Sequence, residues 1–265
     1  MIIRHDIDPI LYIADPTQFL AVMVVNSTKE EIPIAYDNID RVLKPSLVAE
    51  SQALPEICDR TDGMGSLIHP YWVLTVGHVA SELSVGDEMQ IADSAYAIEQ
   101  IIIHPSFRNW GEELAFARHD IGLLKLARPV EAVKPMQLYQ QNDELHKVVT
   151  LLGSGDFGHG LNGPDCIDGK LRRATNRIEV LDEEWLVLKF DEPPDSTALE
   201  GVSGPGDSGG PALLPLSDGW AIAGISSGQD SGRLGEGRYG VMDYYTRVSQ
   251  YVGWIESVIK NGRTT

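Results

Sequence analysis

Gly204-Pro205-Gly206-Asp207-Ser208-Gly209-Gly210-Pro211 sets four glycines and two prolines around a single serine. Glycine permits backbone angles that other residues resist, and proline fixes its own. The run therefore predicts a tight, rigid loop that can present the Ser208 hydroxyl. The backbone N–H groups of Gly206 and Ser208 can point into one small space. Two such donors suit the oxyanion of an acyl transfer, and one good donor contributes about 3–4 kcal/mol. The alternative is a Gly/Ser turn with no chemistry, because such turns are common.

A serine nucleophile needs a base, and the base needs an orienting group. Gly206-Asp207-Ser208-Gly209-Gly210 also fits the Gly-x-Ser-x-Gly elbow of α/β-hydrolases, in which the histidine follows the serine. Here histidines stand at 5, 69, 78, 104, 119, 146 and 159, all before Ser208. The elbow reading fails, and the base must come from upstream. His78 follows Tyr71-Trp72-Val73-Leu74-Thr75-Val76-Gly77, an apolar run that reads as a buried strand. Asp120 opens another, Ile121-Gly122-Leu123-Leu124-Lys125-Leu126. A polar group at the end of a buried strand needs a partner. His78 is the candidate base and Asp120 the candidate orienting group; the alternative for each alone is a structural residue satisfied by another partner.

The elements that must position these groups are strands. Leu20–Val25, Ser66–His78, Ser84–Arg128, Val148–Gly153, Arg177–Val180, Trp185–Phe190 and Trp220–Ile225 carry short apolar or alternating runs between Gly/Pro turns. The stretch from Lys29 to about Asp62 reads as an insertion, and Asp156–Gly169 as a surface loop. One clear helix is expected, at the C-terminus. Val248, Tyr251, Val252, Trp254, Ile255, Val258 and Ile259 share a face, with Ser249 as N-cap and Gly262 as the stop. The fold class is all-β.

Taken together these segments resemble the trypsin/chymotrypsin-like serine endopeptidases. Gly206–Pro211 matches that family's nucleophile loop. Trp72–His78 resembles its histidine segment, and Ile103–Phe107 with Asp120–Leu126 its aspartate segment. Gly224–Gly228, Tyr245–Val248 and Tyr251–Ile255 resemble its substrate strand, last strand and terminal helix. The resemblance covers most of residues 62–260. It implies two six-stranded antiparallel barrels with a C-terminal helix and the site in the cleft between them. The expected divisions are an arm at 1–20, a first barrel at 21–135, a second at 136–247, and a helix and tail at 248–265.

The same resemblance implies the roles. Ser208 would attack the scissile carbonyl, His78 would serve as general base and acid, and Asp120 would orient it. Gly206 and Ser208 would form the oxyanion hole. Ser226 would bond Asp120, and Ser227 and Gly228 would bind the substrate backbone. Asp207 would meet a new N-terminal amine, for which Ile2 looks suited. Cys58 and Cys166 would form a disulfide, because the loops that carry them lie side by side in the family. The specificity pocket would have Val202 at its floor. Ungapped alignment of the last strand puts Asp243 on the pocket wall and favours Arg or Lys before the scissile bond. A two-residue insertion would put Gly240 there instead and leave the pocket apolar. A pseudoprotease used as a binding module and an esterase are the alternative functions.

Composition limits the partners. The formal net charge is −18 over 265 residues, with a sequence pI near 4.6. That argues against nucleic acid, which favours basic patches, and suits cationic substrates. No run approaches the ~20 apolar residues of a membrane span. No Cys/His cluster has zinc-ligand spacing, and no cofactor is implied. The start Met1-Ile2-Ile3-Arg4 lacks the pattern of a signal peptide. With two cysteines only, a microbial-type member is expected. It would be a monomer, secreted or periplasmic, acting on peptides or proteins.

Overall fold

A computed structural model of the chain describes residues 1–26, 62–109 and 117–262. Two barrel-like sheets account for most of it. In the first, the strand order is Val22–Val25, Gly63–His69, Trp72–Thr75, Gly122–Leu126, Ser94–Ile103 and Glu88–Ile91. Its pairings are antiparallel, and its two end strands pack against each other. The second runs Pro211–Leu216, Val148–Gly153, Arg172–Leu181, Trp185–Lys189, Met242–Arg247 and Gly219–Asp230. It closes because the last of these pairs with Pro211–Leu216. The short strand Gln137–Leu138 adds to it in parallel at Ala221–Ile222.

The cores follow from alternation. Arg172, Ala174, Asn176 and Ile178 point inward while Arg173 and Arg177 point out, the period of two that a half-buried strand requires. Trp185–Leu188, for which the same alternation was expected, is buried throughout. Trp72, Leu74, Leu123, Leu124 and Leu126 have almost no exposure and join the first core to Leu213, Ile222 and Ile225 of the second barrel. A second cluster fills the other barrel with Val149, Leu151, Ile178, Leu186, Leu188 and Tyr245.

Asp156–Gly169 is not a plain loop. Phe157–His159 and Gly163–Cys166 form a hairpin, and Phe157–His159 pairs in parallel with Ile2–Ile3. Ile2–Ile3 pairs on its other side with Gly201–Val202. This small sheet fastens the start of the chain to the stretch just ahead of the nucleophile loop. The terminal helix is Val252–Asn261, with Gly262 at its end. Ser249 does not cap it. A short 3₁₀ turn, Val248–Gln250, precedes the helix, and the Ser249 hydroxyl donates instead to Glu144 (2.7 Å). A second helix, Gly77–Glu82, was not anticipated, and it carries His78. The expected insertion lies almost wholly outside the described residues.

Candidate active site

His78 begins where the strand Trp72–Thr75 ends, and Asp120 lies two residues before the strand Gly122–Leu126. Those strands pair with Thr75 opposite Gly122 and Trp72 opposite Lys125. The sheet register thus sets His78 and Asp120 at one end of the first barrel. Asp120 is fully buried. Its Oδ2 lies 2.7 Å from His78 Nδ1, and its Oδ1 accepts from the His78 backbone N–H at 2.9 Å. Two bonds from one carboxylate fix both the ring and the backbone of the histidine. A carboxylate on Nδ1 fixes the ring's tautomer and puts the proton-accepting nitrogen, Nε2, on the opposite side of the ring.

The second barrel completes the shell of Asp120. The Ser227 hydroxyl donates to Asp120 Oδ2 at 2.6 Å, and the Thr246 hydroxyl donates to the Asp120 carbonyl at 2.8 Å. This corrects the expectation that Ser226 makes the bond. The ladder between Gly219–Asp230 and Met242–Arg247 shifts register between Ser226 and Gly228. A bulge there turns Ser227 toward the aspartate, while Ser226 stays in the ladder opposite Tyr245. Two adjacent serines gave the sequence no means of choosing between them.

The nucleophile loop is anchored from three directions. Met64 N–H donates to the Ser208 carbonyl at 2.6 Å, and Gly209 N–H to the Ser226 carbonyl at 2.8 Å. Gly209 has φ of +82°, and a Cβ there would lie 2.1 Å from the Met64 carbonyl oxygen. Only glycine lets the loop turn this close to the first barrel. Behind Ser208, the Asp207 carboxylate accepts from Gly155 N–H (2.7 Å) and Gly204 N–H (2.9 Å). It also lies 2.5 Å from the Met1 amine, which further donates to the Asp156 carbonyl at 2.6 Å.

The amine that meets Asp207 is therefore that of Met1, not of Ile2. Ile2 is inside the small sheet, where its nitrogen is an ordinary peptide group. Alternation along that strand sends Met1 and Ile3 into one cluster and Ile2 into another with Val202, Phe190 and Val241. A buried carboxylate without a cation is costly, so the Met1 amine accounts for the burial of Asp207.

A cavity of about 390 Å³ lies in the cleft. His78 and Ser208 line it, together with Ser226, Ser227 and Gly228. Val202 and Asp243 do not, which corrects their placement on the substrate. Val202 packs against Ile2 without exposed surface. Asp243 is also fully buried, opposite Leu188 and Gln229 in the ladder. Ser203 covers it, donating its N–H to Oδ2 at 2.6 Å and its hydroxyl to Oδ1 at 2.7 Å. Burial pushes the Asp243 carboxyl up to about 7, against these bonds, which lower it. Gly240 has φ of +92° and turns the loop that precedes this strand. Cys166 is a free, exposed thiol, and Cys58, with which a bridge was expected, lies outside the described residues. A separate cavity of about 260 Å³, between Phe19, Met136 and Trp220, shares no residue with the site.

A family model described as Trypsin matches residues 57–255. The chain belongs to the trypsin/chymotrypsin-like serine protease family. Among its curated relatives, a tryptase of Mus musculus is 28% identical over 224 residues, covering 74% of this chain and 77% of the relative. A chymotrypsin-like elastase family member 3B of Macaca mulatta is 31% identical over 220 residues, covering 74% and 81%. A chymotrypsin-C of Mus musculus is 30% identical over 217 residues, covering 74% and 77%. Beside these protease relatives, the double barrel follows the family's fold. Among the described residues, no helix is long and apolar enough to cross a membrane.

Proposed function

We propose that this member of the serine protease family is an endopeptidase that forms an acyl-enzyme on Ser208. His78 Nε2 takes the Ser208 proton as Oγ bonds to the scissile carbonyl carbon. The N–H groups of Gly206 and Ser208 hold the resulting oxyanion. His78 then gives the proton to the leaving amine as the peptide C–N bond breaks. Water, deprotonated by His78, releases the acyl group. Asp120 is a positioning residue that holds the tautomer and offsets the imidazolium charge.

One observation carries this reading. The 2.7 Å His78–Asp120 contact, itself held by Ser227, opens onto the same cavity as Ser208. Positive φ at Gly206 (+84°) supports the oxyanion role, because it turns the backbone just ahead of the nucleophile. The substrates are peptides or proteins, and the compartment is extracytoplasmic. An active-site phosphonate should modify Ser208, located by mass spectrometry, and a peptide panel should be cleaved. No adduct and no cleavage would leave a binding module, and cleavage confined to esters would make the chain an esterase.

A further inference from the structure

Asp120 lies outside the ladder that begins at Gly122. Strand register brings its turn to the cleft but leaves the turn itself to be fixed. That turn is tight, with Ile121 N–H donating across Asp120 to the His119 carbonyl at 2.9 Å. His119 has φ of +48°, a left-handed backbone that few side-chain-bearing residues adopt. Such a conformation persists only where the surroundings hold it.

Building on the proposed roles of His78 and Asp120, we infer that His119 is a positioning residue for Asp120, clamped from the second barrel and the terminal helix. Its backbone N–H donates to Glu184 Oε2 at 3.2 Å, and Arg118 Nη1 donates to Glu184 Oε1 at 3.4 Å. Glu184 sits in the turn between Arg172–Leu181 and Trp185–Lys189. Asp182 Oδ1 fixes that turn, accepting from Glu184 N–H at 2.8 Å and Trp185 N–H at 2.7 Å.

The ring is held separately. His119 Nδ1 lies 3.0 Å from the hydroxyl of Tyr251, just ahead of the terminal helix. Burial first, then the carboxylates of Glu184, Asp120 and Asp182, push that hydroxyl well above its ordinary value, so it keeps a proton to donate. The His104 ring stacks on the His119 ring with centroids 5.2 Å apart. Burial, and then His119, lower the His104 ring from its ordinary value, which favours a neutral neighbour for His119. Tyr251 and Trp254 meet the His104 ring edge-on. His104 N–H also donates to the Ile121 carbonyl at 3.1 Å. The residues on both sides of Asp120 are thus tied to one cluster. Neither His119 nor Tyr251 lines the cleft cavity. Loosening the clamp should therefore act on turnover rather than on substrate binding.

The test compares the full chain as wild type, His119→Ala, His119→Asn and Tyr251→Phe on one peptide substrate. The thermal transition and phosphonate labelling of Ser208 are measured beside it. His119→Ala should lower kcat at least about tenfold with KM within about twofold, because a misplacement under 1 Å costs less than the hundredfold of a full ångström. His119→Asn should recover kcat to within about threefold of wild type, since asparagine tolerates positive φ and its side-chain oxygen can accept from Tyr251. Tyr251→Phe should lower kcat about threefold or more through loss of one hydrogen bond. Wild-type kcat in a folded His119→Ala that labels at Ser208 overturns this inference alone. So does His119→Asn as slow as His119→Ala at an equal thermal transition. Should His119→Ala fail to fold, Tyr251→Phe decides, and wild-type kcat there overturns the clamp. Absence of labelling in wild type overturns the nucleophile beneath it, and this inference with it.

Discussion

The two halves of the site are held in different ways. The first-barrel half, His78 and Asp120, hangs from paired strands whose register is fixed by buried Trp72, Leu74, Leu123 and Leu124. Many apolar contacts share that task, and each one is replaceable. The second-barrel half is the loop from Ser203 to Gly210, which has no ladder of its own. Its shape depends on a few polar contacts, chiefly those of the buried carboxylates Asp207 and Asp243. Geometry borne by strands is redundant, and geometry borne by loops is not. Chemistry should therefore be lost through single polar changes in the second half that hardly touch the fold.

The largest effect tests the nucleophile itself. Ser208→Ala should lower kcat on the order of 10⁶-fold with the thermal transition unchanged, as for triad members of serine proteases. Retention of a tenth of the activity would show that Ser208 is not the nucleophile. In the first half, Asp120→Asn should cost about 10⁴ in kcat, because an amide can hold the wrong tautomer of His78. An Asn variant with near-normal kcat at neutral pH would remove Asp120 from its positioning role.

The next effect probes the loop half from behind. Acetylating the Met1 amine, or placing one extra residue before it, takes the cation from Asp207. The fold should survive, because the barrels do not depend on this ion pair. The nucleophile loop should shift, and a displacement of about 1 Å costs on the order of a hundredfold in kcat/KM. Equal activity of blocked and free protein would mean that the loop is set by Gly155 and Gly204 alone.

The same contrast explains what could be read from the sequence. The strands that lead to His78 and follow Asp120 were legible because apolar runs and their ends are local signals, whereas the short helix that carries His78 was not. The Ser208 loop was legible too, because its glycines and prolines state their own backbone. Ser227 was missed in favour of Ser226 because a bulge, decided by pairing with Met242–Arg247, chose between neighbours. Met1 was passed over for Ile2 because the choice depends on which nitrogen reaches Asp207 across the small sheet. Val202 and Asp243 were placed by alignment at the pocket, but burial against Ile2 and beneath Ser203 is a property of packing.

The smallest effect on rate, and the sharpest contrast within the loop half, concerns Asp243. Asp207 has an amine against it, while Asp243 receives only neutral donors from Ser203. Asp207 itself faces Asp243 and raises its carboxyl further, the Met1 amine opposes this, and Tyr245 lies beside it. Burial outweighs the bonds, so the folded protein keeps this proton up to about pH 7. The unfolded chain releases it near pH 4. Between those values the folded state binds more protons, so stability from this group falls as pH rises, by about 1.4 kcal/mol for each unit separating the two pKa values. The contribution is fully present below about pH 4 and lost by about pH 7. Asp243→Asn carries no such proton. Its urea midpoint relative to wild type should therefore climb from pH 4 to 7 and level off above. A difference that stays constant from pH 4 to 8 would show that Asp243 keeps one charge state throughout. It would then be as well compensated as Asp207, and the contrast between the two carboxylates would not hold.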